Sequence, residues 1–551
     1  MSLVMTGPRA ARWGTIAALA LGPVLVLAVF FVLPVGGMLA RGLWPDGTLD
    51  LGGVLEVLSR PRVHRVLWFT LWSASVATAL TLALGLPAAY VLHRLSFPGV
   101  RVLRALLLIP FVLPTVVVGV AFRQLISEGG PLGGLGLDGS AAAIIAALVF
   151  FNVAVVIRGV GSAWEGLDRR PGEAAAALGA SPLRVLTTVT LPMLRPAIVS
   201  VATVVFLFCA TAFGVVLTLG GLRYSSLETE IYLLTTQLLD LQAAAALSLL
   251  QIVTVTGLLV LAHRARRQSP VVRSGQRPSR PGRRDLPALG VLALVVVLVA
   301  LPLGTLLTGS LHVDGAWSWG NYRALSTTGD RDAILVPVTD AWVNSLRIAV
   351  DATWMALLLG VLVSVVVTRR SHSGSERRVR AGLDGFFMLP LGVSAVTLGF
   401  GFLITLDRPP LELRDSPLLV PIAQALVALP LVVRTIAPVL SGVDDRQRQA
   451  AASLGAPPWR AVLTVDLPVV WKPLLAAAGF AFATSLGEFG ATSFLARDEH
   501  PTLPIVIYRL LGHPGEQNYG MALAASVLLA LTTALVMLAV ERLRVRSVGA
   551  F

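Results

Sequence analysis

The stretch Glu173–Pro196, EAAAALGASPLRVLTTVTLPMLRP, decides how this chain is read. It is amphipathic, punctuated by glycine and proline, and lies between long apolar runs. A second version stands near the far end: Gln449–Pro473, QAAASLGAPPWRAVLTVDLPVVWKP. Gly179 and Gly455 share an offset of 276 positions with Arg184 and Arg460, and with Leu191-Pro192 and Leu467-Pro468. A polar segment repeated at one offset inside a hydrophobic chain marks a duplicated unit.

Pro171 suits a first helical position, and Glu173 then falls in the first turn, where a carboxylate favours the helix dipole. Gly179 is a natural C-terminal stop, and Ser181-Pro182 can cap and begin a second helix. Leu191-Pro192 and Pro196 are expected to break the chain before it re-enters the membrane. The expected result is helix–Gly–helix–Pro, held against the bilayer by Leu183, Leu186, Val189 and Leu191. Ala174–Ala177 leaves a smooth surface that a partner can approach. The competing reading is an ordinary amphipathic loop, and two copies in matching topology count against it.

Of 551 residues, 55% are hydrophobic and only 13% charged, and the mean hydropathy is +0.79. A soluble chain would carry about a quarter charged residues, so the composition indicates a polytopic membrane protein. The net charge of +14 comes almost entirely from arginine, Lys472 being the one lysine. These arginines lie in short loops between apolar runs, which fits membrane orientation better than nucleic acid. Cys209, the sole cysteine, reads as a small packing residue.

A membrane helix needs about 20 mostly apolar residues. Twelve candidate spans follow: 14–40, 66–93, 102–126, 140–161, 197–219, 241–262, 287–311, 343–368, 382–405, 417–439, 474–495 and 519–540. The first reads as a retained span, not a cleaved leader. An Arg/Pro-rich linker, 264–286, separates a first half (1–263, with its polar segment at 164–196) from a second (287–551, with its segment at 441–473). Arg9, Arg12, Arg94, Arg101, Arg104, the linker, Arg369, Arg370 and Arg542 put both termini and both polar segments in the cytoplasm. Arg60–Arg65 is an exception, basic on the side expected to be external.

The halves also match at Thr78/Thr353, Gly85/Gly360, Pro110/Pro390, Gly119/Gly399, Phe122/Phe402, Arg158/Arg434 and Phe213-Gly214/Phe489-Gly490. Two sets of six spans in one orientation make a parallel repeat. The glycines predict close helix approach, and Pro110, Pro114 and Pro390 predict kinks or opened backbone.

On these residues the chain resembles the permeases of binding-protein-dependent ABC importers. Glu173, Ala174, Ala175, Gly179 and Pro192, with Leu191, match that family's EAA loop. The second copy supplies Gln449, Ala450, Ala451, Gly455, Leu467 and Pro468, with glutamine in place of the acid. The resemblance implies an all-α polytopic fold of about 12 transmembrane helices, as two parallel six-helix repeats of the type I importer permease. It further implies coupling loops that dock two ATP-binding cassette subunits, an extracytoplasmic substrate-binding protein as partner, and a place in the bacterial cytoplasmic membrane. The two-repeat, single-chain form resembles fused permeases for thiamine and for ferric iron. Phe206–Gly221 with Glu228, Glu230 and Tyr232, and Ser485–Thr492 with Tyr508, look most like the thiamine type. LGEFGAT also occurs in oxyanion permeases, so the order is thiamine or its phosphates, ferric iron, then molybdate or sulfate.

Candidate pathway residues are Phe213, Gly214, Glu488, Phe489 and Gly490. An ionisable group at membrane depth usually faces a cavity or a partner. Glu488 is thus either a carboxylate that meets a cation, with aromatic help, or a structural acid paired with an arginine. The first half has Ala212 there. Asp351 reads as snorkelling or paired. Lys472 is followed by Pro473 and preceded by no glycine pattern, so the chain carries no phosphate-binding loop and is not expected to be the ATPase. No HExxH, CxxC or Gly-x-Ser-x-Gly occurs, the seven histidines are scattered, and neither a metal site nor a cofactor is expected. The rival classes are a polytopic membrane enzyme, which needs carboxylates or histidines clustered at one membrane face, and a twelve-span secondary transporter, which has no use for paired EAA segments.

Overall fold

The computed structural model describes residues 9–44, 47–221, 223–265, 279–369, 371, 373–407 and 411–543. Most of the linker expected at 264–286 lies outside these residues, as do Arg370, His372, Arg544 and Arg546. Among the described residues nearly everything is helical. The exception is a two-stranded hairpin, His312–Val313 with Ala316–Trp317, turned by Asp314 and Gly315 at positive φ.

Among the described residues ten helices are long and apolar enough to cross a bilayer as single elements, and they fall at ten of the twelve expected places. The third and ninth places differ. Val100–Val112 and Thr115–Ile126 meet at 104°, broken at Leu113-Pro114. In the second half Gly374–Phe387 ends before a short turn at Leu389–Gly392, and a new helix runs over Ala395–Thr405. The expectation of kinks at these prolines is met by full breaks. Pro114 cannot donate a backbone hydrogen bond, and Ser394 Oγ caps the new helix by accepting from Thr397 N at 3.1 Å.

The prolines of the repeated segments act otherwise than expected. Pro182–Ala210 runs without a break into the fifth span, with Pro192 and Pro196 inside it. Pro192 is accommodated by a π turn at Leu186–Thr190, where Leu191 N donates to Leu186 O. A proline ring collides with the carbonyl four residues back, and one wider turn moves that carbonyl aside. The same device precedes Leu467-Pro468, at Val462–Asp466, and Leu33-Pro34, at Ala28–Val32. The fifth and eleventh spans instead break further on, at Thr211–Phe213 and at Gly487–Ala491, inside the ranges expected to be continuous.

The repeat is visible in the packing. A Cβ on Gly85 would lie 2.6 Å from the Val156 side chain, and one on Gly360 would lie 2.4 Å from that of Val432. Both glycines therefore let the second and fourth helices of each half touch, as the sequence predicts. The fourth and tenth spans, Ala141–Glu165 and Leu419–Ser441, are the central helices, each 72% buried in its most apolar window.

Each half lends its first span to the other. Leu27 and Phe31 pack with Val363, Phe387, Leu398 and Phe402 of the second half, and Phe30 lies 6.0 Å from Phe402. In return Leu292, Val295 and Val299 pack into the core of the first half. The exposed Leu, Val and Trp side chains, among them Leu21, Trp68, Leu294 and Leu358, cover the perimeter. Such a surface suits lipid, where helices satisfy their own backbone.

The basic exception at Arg60–Arg65 has a local explanation. Arg62 makes two hydrogen bonds to Glu230, at 2.5 and 3.1 Å, and Arg60 meets Asp240 at 2.9 Å. Burial works against the Asp240 carboxylate. The Ala243 N–H and Arg60 outweigh it and hold the group below its usual range. Two of these arginines are thus neutralised in place and drop out of the loop-charge balance.

Candidate functional site

The paired polar segments fold alike. Arg170–Ala177 and Asp445–Ser453 each end at a left-handed glycine, Gly179 at φ +85° and Gly455 at φ +81°. Gly179 N donates to Ala176 O and Ala180 N to Ala175 O, each at 3.0 Å. Gly455 and Ala456 repeat this pattern onto Ala452 and Ala451. This is the Schellman closure, which only glycine adopts without penalty. Ser181 Oγ accepts from Arg184 N and Pro182 opens the second helix, as expected. Glu173 sits exposed in the first turn and forms no ion pair among the described residues.

Ahead of each glycine stands a leucine that is almost wholly exposed: Leu178 at 90% and Leu454 at 88%. Among the side chains described in either segment, no other large apolar one protrudes as far. The sequence reasoning passed over both, although the shared Leu-Gly dipeptide was the available signal. Leu183 (70% exposed) and Leu463 project beside them.

Beneath these tips the segments differ. In the second half Asp466 accepts from Arg369 Nη2 at 3.1 Å and from Arg448 Nε at 2.8 Å, and Arg448 also reaches Asp445 at 2.7 Å. This cluster ties the segment's first helix to the end of the eighth span and the start of the eleventh. In the first half Gly172 and Thr190 occupy the positions of Arg448 and Asp466. A cavity of about 260 Å³ opens there instead, lined by Arg94, Arg169, Glu173 and Thr190 among others.

The pathway candidates meet at the seam between the halves. Phe213 and Phe489 stack across it with centroids 5.2 Å apart and planes 26° apart. Tyr232 packs edge-on against Phe213 at 5.4 Å, and Tyr508, 276 positions on, packs against Phe489 at 5.6 Å. Phe494 closes the group on Tyr232 at 5.5 Å. The breaks converge here: Gly214 lies against Thr115, Gly490 against Ala395 and Val396, and Gly487 against Pro114 of the other half. Irregular backbone at membrane depth is tolerated where protein covers it.

Of the two roles expected of Glu488, pairing with an arginine is not found among the described residues. Its carboxylate folds back on its own chain, accepting from Ala491 N at 2.7 Å, Thr492 N at 3.0 Å and Thr492 Oγ1 at 2.5 Å. It satisfies the amides freed by the break and caps Thr492–Leu495, with no arginine partner among the described residues. Asp351 accepts from its neighbour Trp354 at 3.3 Å, paired as expected. An acid outside the candidate pathway residues, Glu228, also reaches the seam. It is fully buried in the helix Leu227–Thr236, and its carboxylate accepts from Ser394 Oγ of the second half at 3.0 Å and from Gln251.

Residues 81–268 and 334–547 each match the family described as the binding-protein-dependent transport system inner membrane component. The chain is 28% identical over 501 residues to the thiamine transport system permease protein ThiP of Escherichia coli (strain K12), covering 88% of this chain and 89% of that protein. It is 27% identical over 549 residues to the protein of the same description from Brucella abortus (strain 2308), covering 96% and 97%. A probable ABC transporter permease protein y4fN of Sinorhizobium fredii is 25% identical, covering 87% of each chain. With its two matched repeats, its apolar helices and its paired EAA segments, this chain belongs to that inner-membrane-component family and is the membrane-spanning permease of an ABC importer.

Proposed function

We propose that the chain forms the translocation pathway of an importer for thiamine or its phosphates. The observation that carries the substrate is likeness over nearly the whole chain to permeases described as thiamine transport proteins. The aromatic group at the seam agrees with it, because a thiazolium or pyrimidine ring can stack between aromatic faces and its charge gains cation–π attraction.

In this reading an external binding protein delivers substrate while both segments sit in two identical ATPase subunits, supplied separately, since this chain brings no phosphate loop. Leu178 and Leu454 fill apolar pockets on those subunits, and the Schellman turns fix the direction in which each leucine points. Both termini and both segments lie in the cytoplasm of a bacterial cell. Closure of the ATPases on ATP moves the segments, and the rigid runs from Pro182 and Pro458 into the fifth and eleventh spans carry that motion to the breaks beside Phe213 and Phe489. Separation of the stacked pair opens the path. The segments must transmit the difference in ATP affinity between the two permease states, since a ligand shifts an equilibrium only by its differential affinity.

The test is reconstitution with the cognate ATPase and binding protein in liposomes, followed by ATP-dependent uptake of labelled thiamine. Saturable uptake that needs all three components supports the proposal. Uptake of ferric iron, molybdate or sulfate in its place overturns the substrate, and failure of any ATP-binding subunit to co-purify overturns the docking role.

A further inference from the structure

Glu228 is a fully buried carboxylate, and none of its partners is a cation. Gln251 and Ser394 hold it, and Thr397 Oγ1 in turn donates to Gln251 Oε1 at 3.0 Å. Among the described residues no basic side chain forms an ion pair with it, whereas its neighbour Glu230 takes Arg62. The position has no counterpart: Pro504 stands 276 residues on. A buried charge without a counter-charge is costly and persists only where neutral hydrogen bonds or function hold it.

Its surroundings show what the charge faces. Tyr232 follows one helical turn after Glu228, so both project from one face of Leu227–Thr236 with Cβ atoms about 6 Å apart. Tyr232 touches Phe213 and Phe494. Both the Ser394–Glu228 bond and the Phe213–Phe489 stack cross the seam, and Ser394 begins the helix after the break in the ninth span. Parting the halves therefore removes a donor from Glu228 in the same movement that bares the aromatic faces. The carboxylate then keeps Gln251 alone and has an oxygen free beside exposed ring faces, an arrangement suited to an organic cation carrying a flat ring.

We infer that Glu228, with Tyr232 and the Phe213–Phe489 pair, is the cation-binding station of the pathway, and that Ser394 occupies the carboxylate while the seam is closed. This rests on the proposed transport of a thiamine-class cation. The same chemistry explains why Glu488 is spent on backbone amides: the charge that meets substrate is supplied once per chain, from the first half.

The experiment compares Glu228→Gln and Glu228→Asp in the reconstituted complex of permease, ATPase and binding protein, with uptake of labelled thiamine normalised to recovered complex. The glutamine keeps size and hydrogen bonding but loses the charge. The aspartate keeps the charge but falls short of Ser394. We expect Glu228→Gln to lower uptake by at least about tenfold and Glu228→Asp to lose markedly less. The reverse order, with glutamine near wild type and aspartate impaired, shows a structural cross-seam bond and overturns the station. Should neither variant assemble, Tyr232→Leu leaves the Glu228 bonds in place. A several-fold rise in KM for thiamine with the maximal rate retained supports the station, and an unchanged KM overturns it. Absence of thiamine uptake by the wild-type complex is a different result, which removes the substrate proposal.

Discussion

The two EAA segments share a surface and differ underneath. Both present an exposed leucine before a left-handed glycine on a Schellman turn. The second is braced beneath its tip by Arg369, Arg448, Asp445 and Asp466, whereas the first is tied at its start, where Glu165 meets His93 and Arg104, and stands over a cavity lined by Arg94 and Arg169. A partner that meets both copies meets one shape on two mountings. The two copies share the exposed leucine and the turn and differ in what supports them. Glu173 and Gln449 belong to the part that differs.

The largest effect should follow from breaking what is shared. Gly179→Asp combined with Gly455→Asp places a side chain and a charge at positive φ in both turns. We expect ATP-driven uptake to be abolished while the protein still inserts and is recovered at wild-type levels. Undiminished uptake by that double variant removes the docking role.

Next comes the brace. Asp466→Ala leaves Arg369 and Arg448 without their shared carboxylate, and Asp466 is itself buried. Removing one partner of a buried pair costs about 3–5 kcal/mol. Part of that is recovered here by Asp445 and water, so detergent-solubilised protein should melt several degrees lower with impaired coupling. Thr190→Val, at the matching place in the first half, should change neither. Equal effects in the two halves would mean that the mountings do not differ in function.

Trimming the tips tests the shared shape copy by copy. Leu178→Ser and Leu454→Ser each forfeit about 1.5–3 kcal/mol of apolar burial on docking, which is roughly tenfold or more in affinity for the ATPase. The two losses should be similar, as read by titrating the ATPase against immobilised permease. A loss confined to one copy would show that the subunits read the copies differently.

The smallest effect is expected from the acid. Glu173→Gln removes a first-turn carboxylate with no ion-pair partner among the described residues, worth about 0.3–1 kcal/mol to its helix. Uptake should fall less than about threefold. A loss as large as that from Leu178→Ser would make Glu173 a contact in its own right.

Much of this was legible in residue types. Leu-Gly-Ala before a proline spelled the turn at Gly179, because only a residue without Cβ fits φ +85° cheaply. Gly85 and Gly360 announced the helix contacts that Val156 and Val432 complete. Prolines were harder. Pro114 breaks a span, whereas Pro192 and Pro196 ride inside one, and no residue spells out the π turn that precedes Pro192. The surroundings of the two acids were hidden for a similar reason. Glu488 sits in an apolar run and looked like a pathway group, but its own chain bends to give it amides. Glu228 sits in a polar stretch, and the helix that carries it turns inward to the seam.

The sequence by itself determined the class of protein, the duplication and the two glycine turns. These rest on local forces: hydropathy over some 20 residues, φ preferences of single residues, and a repeat at one offset. Tertiary structure alone decided which charge faces the seam, which proline breaks a helix, and that each half lends its first span to the other. Those outcomes depend on what a side chain meets from distant parts of the chain. Phe213 meets Phe489, and Glu228 meets Ser394, only after both halves have packed. Periodicity within one helix carries no record of its neighbours.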